Sequence, residues 1–257
     1  MDSPTIETGL WIFAIAANLV AALRLYQLSL HVKYCFFFGY LIAQALQSVL
    51  LFFLPFGSPG YFWAYVITAP TLWVFYFLVV KEIYALIFKD YKGIYTVTRW
   101  SMYAASVLSI ALSILSIVMT HSAAGGIGHL KYVLTIERAV VFSLVLFLPM
   151  ALYFLSHYPI ELQRNAVVHS ILYSVLFLSD AAVHVINALS TPGVRHFANV
   201  GSLAINGVCF GAWSVLLTRQ GEVRRVNVVQ RQNPANDARL LAELNAMNQT
   251  LLHVIRK

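Results

Sequence analysis

Residues 166–189 read AVVHSILYSVLFLSDAAVHVINAL, an apolar stretch whose only formal charge is Asp180. An α-helix rises about 1.5 Å per residue, and the hydrocarbon core of a bilayer is about 30 Å thick. Roughly 20 apolar residues therefore cross it, and this stretch is long enough to do so. Its polar residues fall in register. At about 3.6 residues per turn, His169, Tyr173, Asp180, His184 and Asn187 lie on nearly one face. A polar stripe thus runs along most of a helix that is otherwise suited to lipid.

Six further runs of the same kind flank it, at about Leu10–Leu30, Tyr34–Phe56, Tyr61–Phe88, Trp100–Thr120, Tyr132–Ser156 and Phe197–Thr218. Turn residues separate them: Gly57-Ser58-Pro59-Gly60, Gly125-Gly126-Ile127-Gly128 and Thr191-Pro192-Gly193. The 257-residue chain is 60% hydrophobic and 11% charged, with a mean hydropathy of +0.75. Soluble domains carry about 25% charged residues, so this chain needs lipid as part of its solvent. The expectation is an all-α, integral membrane seven-helix bundle over residues 1–218, with a tail at 219–257. Runs one to three show no repeat in runs five to seven, and Pro70 and Pro149 are expected to kink the third and fifth helices. The last turns of the third run, with Lys81 and Glu82, are expected to project from the membrane. The segment after them, KDYKGIYTVTR, reads as an inner loop.

The basic residues orient the bundle. With the N-terminus outside, only Lys131, Arg138 and Arg195 of the 17 Lys and Arg lie on the outer side. The rest, from Arg24 to the tail, lie inside, as the positive-inside bias requires. The opening MDSPTIETG carries Asp2 and Glu7 and no basic residue, unlike a cleavable signal. The N-terminus is therefore expected outside and the C-terminus in the cytoplasm. The net charge of +7 is explained by this flanking pattern, so nucleic acid is not an expected partner. Trp11, Trp63, Trp100 and Trp213 stand near run ends, where interfacial rings are favoured.

Ionisable groups within a span are costly and mark candidate sites. A carboxylate at Asp180 needs a partner, a proton or water. Glu137 and Arg138 lie one to two turns into the fifth run from its outer end, with Arg138 as the expected partner of Asp180. The expected cluster is Glu137, Arg138, Asp180, His184 and Asn187, with His169 and Tyr173 continuing the stripe inward. It reads as a small-ligand site or a proton-linked switch, against a purely structural cluster or a translocation path. Milder polarity recurs at Asn18, at Tyr40, Gln44 and Gln47, and at Asn199, Ser202, Asn206 and Cys209. These residues either line the same interior or bond across helices. Ser106, Ser109, Ser113, Ser116 and Thr120 form one seam that suits close helix packing. Cys35 and Cys209 sit at different depths, so no disulfide is expected.

The tail opens with a polar, basic stretch at 219–231. Asn233-Pro234 then signals a helix start, and an amphipathic helix is expected at about 234–256. Leu240, Leu244, Met247, Leu251 and Val254 alternate by four and three, a short heptad seam. It suits a second copy of the chain, a separate cytoplasmic partner or the inner leaflet.

No lysine for a retinal Schiff base stands in the seventh run, and no histidine set matches haem or zinc ligation. No cofactor, metal or enzymatic activity is expected. The stretch VVKEIYALIFKDYKGI at 79–94 resembles bacterial seven-helix membrane proteins, which implies an inner (plasma) membrane location and no residue roles. The expected function is a receptor-like or sensory protein with an outward polar pocket and a cytoplasmic coupling surface. Alternatives are a small-solute or proton-coupled transporter and a non-catalytic subunit or scaffold of a membrane complex.

Overall fold

A computed structural model describes residues 3–55, 58–120, 135–137, 139–145, 147, 153, 161–189, 191–223, 225–227 and 234–255. The chain is helical throughout these residues apart from turns and one short strand pair. The long helices are α1 (Ser3–Gln27), α2 (Cys35–Phe53), α3 (Pro59–Ile87) and α4 (Lys92–Thr120). The helical residues 135–137, 139–145 and 147 form α5. They are followed by β1 (Glu161–Gln163), α6 (Arg164–Leu189), α7 (Pro192–Leu216), α8 (Gln220–Val223), β2 (Arg225–Asn227) and α9 (Pro234–Ile255).

Among the described residues, five helices are long and apolar enough to cross a membrane: Ile6–Gln27, Cys35–Phe53, Pro59–Ile87, Arg164–Asn187 and Gly193–Leu216. They close a ring. α1 packs on α2 and α7, α2 on α3, α3 on α6, and α6 on α7. Inside the ring lie Leu25, Phe37, Leu41, Val80, Phe177 and Trp213, all buried. Its outer surface is apolar too: Ile67 is 68% exposed and Val215 73%. Water would not tolerate so many exposed large side chains on helices apolar all round, whereas lipid does. The chain is a membrane protein. The run predicted at 100–120 is helical within α4, while most of 132–156, including Pro149, lies outside the described residues.

Local chemistry sets the helix ends. α3 begins at Pro59, and Ser58 Oγ accepts from Tyr61 N at 3.1 Å as its N-cap. Between α1 and α2, Ser29 turns the chain with φ 57° before a short 3₁₀ turn at Leu30–Val32. At the end of α3, Ile83, Tyr84 and Ile87 are buried against the rest of the protein. Glu82 points to the start of α2, accepting from Phe36 N at 3.2 Å and Phe37 N at 3.1 Å. A carboxylate there satisfies free helix N–H groups and matches the helix dipole. The reading of KDYKGIYTVTR as a loop is corrected: from Lys92 onward it is the first turns of α4. Trp213 is corrected as well, being 1% exposed and buried in the core.

The tail helix explains the early start of α4. α9 packs on α4, and Asn248 Oδ1 accepts from Gly93 N at 2.8 Å. A Cβ at residue 93 would lie 2.6 Å from the Asn248 carbonyl oxygen, so glycine permits the approach. The buried face of α9 is Leu244 and Asn248, with Leu240 and Leu251 half-buried beside them. Met247 and Val254 are exposed. The heptad reading missed this because a helix lying on one neighbour buries a straight stripe, not a supercoiled seam.

Candidate functional site

The C-terminal part of the α6 stripe faces a cavity of about 290 Å³. Asp180, His184 and Asn187 enter it from the C-terminal half of α6, and Asn199 from the first turns of α7. Glu137 comes from α5, and Tyr65 and Tyr76 from α3. Antiparallel succession explains the convergence. The start of α3, the end of α6 and the start of α7 all lie at the same end of the ring.

The cavity's polar groups are tied to neighbouring helices. The Tyr65 hydroxyl donates to the Glu137 carboxylate. Ser202 Oγ donates to Asp180 Oδ1 at 3.1 Å and accepts from Asn206 Nδ2 at 3.5 Å. Asn187 Nδ2 donates to Asn199 Oδ1 at 3.0 Å, while Asn187 Oδ1 is buried without a partner. The structure therefore brings together Glu137, Asp180, His184 and Asn187. Arg138 lies outside the described residues, and the partner found for Asp180 is Ser202. Tyr65 and Tyr76 were not foreseen, because nothing within α3 marks its tyrosines from its many other rings.

The N-terminal part of the stripe has a different environment. His169 is 1% exposed and enclosed by rings: Tyr34 at 4.5 Å, Phe37 at 4.6 Å and Trp213 at 6.1 Å between centroids. Tyr173 stands 4.7 Å from Trp213 and 5.7 Å from Phe177. Neither ring nitrogen of His169 nor the Tyr173 hydroxyl has a hydrogen-bond partner. These two residues belong to an aromatic block beneath the cavity, not to its lining. Their shared face in sequence is real, but depth along the bundle separates them from Asp180.

Beyond the block, at the other end of the ring, lies a polar knot that the sequence did not reveal. Glu222 of α8 accepts from Lys33, from the Tyr34 hydroxyl at 2.6 Å and from the Asn165 amide. Asn165 Nδ2 also donates to the Thr218 carbonyl at 2.8 Å. Arg219 Nε donates to the Leu28 carbonyl at 2.8 Å. Leu162 pairs with Val226 across the antiparallel β1–β2 contact. The entrance to α6, the exit from α7 and the α1–α2 turn are thereby joined.

The arrangement suits binding. Two carboxylates, an imidazole and two amides around one cavity can hold a ligand rich in hydrogen-bond donors. Among the described residues, no three His, Cys, Asp or Glu side chains gather as a metal site. Both cysteines are free. Compared with protein-family models, curated proteins and solved structures, the chain matches none.

Proposed function

We propose that this chain is a seven-span, receptor-like protein of a bacterial inner membrane, with its N-terminus outside and its C-terminus in the cytoplasm. Its outward cavity binds a small organic cation. The observation that carries the reading is the cavity wall: Glu137 and Asp180 line it, and among the described residues no Lys or Arg does. A cationic ligand compensates buried carboxylates, and the rings of Tyr65 and Tyr76 offer faces that ammonium groups favour. The basic-residue bias supports the orientation, and the helicity of α4 and α5 supports two spans beyond the five. The aromatic block under the cavity favours a receptor, which needs a floor, over a transporter, which needs a path. The Glu222 knot and α9 supply the cytoplasmic surface for coupling.

The test uses purified protein in lipid nanodiscs and two ammonium probes, ethanolamine and choline. A saturable rise in thermal stability is expected, about 2.7 kcal/mol when the ligand is 100-fold above its Kd. Asp180→Asn and Glu137→Gln should each weaken it at least tenfold. Stabilisation by anionic metabolites in place of amines would refute the cation site. Uptake of labelled amine by proteoliposomes would move the protein to the transporter class.

A further inference from the structure

A second cavity, of about 180 Å³, lies between α1, α2 and α7. At roughly 30 Å³ per water it has room for about six water volumes. Asn18, Gln44, Gln47, Ser48 and Asn206 form its polar wall, and among the described residues none that lines it is ionisable. The rings of Trp11 and Phe210 form much of the remainder. It is thus the electrical opposite of the cavity built around Asp180.

Its amides fall into two kinds. Gln47 and Asn206 are committed to neighbouring helices. Gln47 Nε2 donates to Thr68 Oγ1 at 2.8 Å, and Asn206 Nδ2 donates to Ser202. Asn18 and Gln44 are different. Asn18 is 2% exposed, and its Oδ1 has no donor. Gln44 Oε1 is also buried without a donor. Native proteins bury few such acceptors, and each calls for an explanation. Here two of them, from adjacent helices, line one cavity. Two leucines at these positions would close the bundle without leaving any polar atom unpaired.

We infer that this cavity is a second binding site, for a small uncharged molecule carrying two or more O–H or N–H donors. Its donors engage the Asn18 and Gln44 carbonyls, and its carbon skeleton rests on Trp11 and Phe210. An ion is disfavoured because no opposite charge offsets its desolvation. The inference stands apart from the cation reading, since among the described residues the two cavities share no lining residue.

The experiment titrates the nanodisc-embedded protein with acetamide and with glycerol, following thermal stability and Trp fluorescence. Trp11→Phe identifies the Trp11 contribution. A saturable response at millimolar concentration is expected. Generic cosolvent stabilisation instead grows without saturating and ignores single substitutions. Asn18→Leu and Gln44→Met should each lower the affinity at least tenfold while leaving ligand-free stability equal or higher. If one variant does not fold, the other carries the test. Glu137→Gln, which weakens the amine response at least tenfold and lies away from this cavity's wall, should leave the neutral-probe response unchanged, so the two readings fail separately. No saturable response to either probe, or one unaffected by both variants, overturns the second site.

Discussion

Replacing Glu222 by alanine tests the knot that joins the start of α6, the end of α7 and the α1–α2 turn. The carboxylate accepts from three side chains, and their burial decides the cost. Tyr34 is 1% exposed and Asn165 is fully buried. Stranding a buried donor costs about 1–3 kcal/mol. Two such losses give about 2–5 kcal/mol, since Asn165 keeps its bond to the Thr218 carbonyl. Lys33 adds little: its side chain is 33% exposed and rehydrates, and such ion pairs contribute about 0–1 kcal/mol. Glu222→Gln preserves an acceptor and should cost only about 1 kcal/mol. The assay is reversible unfolding by SDS in mixed micelles. A Tyr34→Phe background supplies the control. It removes the stranded hydroxyl, so the double variant should lose less than the sum of the singles, by about 0.5–3 kcal/mol. A Glu222→Ala protein within about 0.5 kcal/mol of the parent, or strict additivity with Tyr34→Phe, would refute the reasoning.

Other perturbations probe the remaining contacts. Leu244→Ala should destabilise by about 2–5 kcal/mol, as a fully buried leucine does, whereas Met247→Ser should change unfolding by less than about 0.5 kcal/mol. Equal effects would mean that α9 is not seated on α4 as described. Glu82→Ala should cost about 1 kcal/mol through loss of the α2 cap and should speed amide exchange at Phe36 and Phe37 specifically. Gly93→Ala should release α9, read as faster exchange across 240–251, with the five-helix ring still folded. Unchanged exchange there would count against the close approach of Gly93 to Asn248.

The long apolar helices were legible in the sequence because hydropathy and turn chemistry are local. Asp180, His184 and Asn187 were legible for the same reason, since helical periodicity alone puts them on one side of α6. Periodicity does not report depth. It gave His169 and Tyr173 the same standing, although Trp213 and Phe37 enclose them. Contacts between distant helices left no local signal. The bonds from Tyr65 to Glu137, from Ser202 to Asp180 and from Glu222 to Asn165 depend on which helices become neighbours. Glu222 was masked further by the basic residues around it, which made its segment read as a solvated tail. In α9 the apolar residues fit two stripes about equally well, and a polar residue, Asn248, decided between them.

The cap that Asn248 provides bears on how the protein is made. Ribosomes build chains from the N-terminus, and Gly93 precedes its acceptor by 155 residues. When α4 leaves the ribosome, its opening turn therefore lacks the partner that finishes it. Everything from α5 to α8 is synthesised before that partner exists. The contact then acts as a latch closed after translation of the bundle, so a stop codon shortly before position 248 would leave a defect near the middle of the sequence. Messages truncated that late should yield protein that inserts normally but is clipped by proteases around residues 89–95, far in sequence from the lesion that caused it.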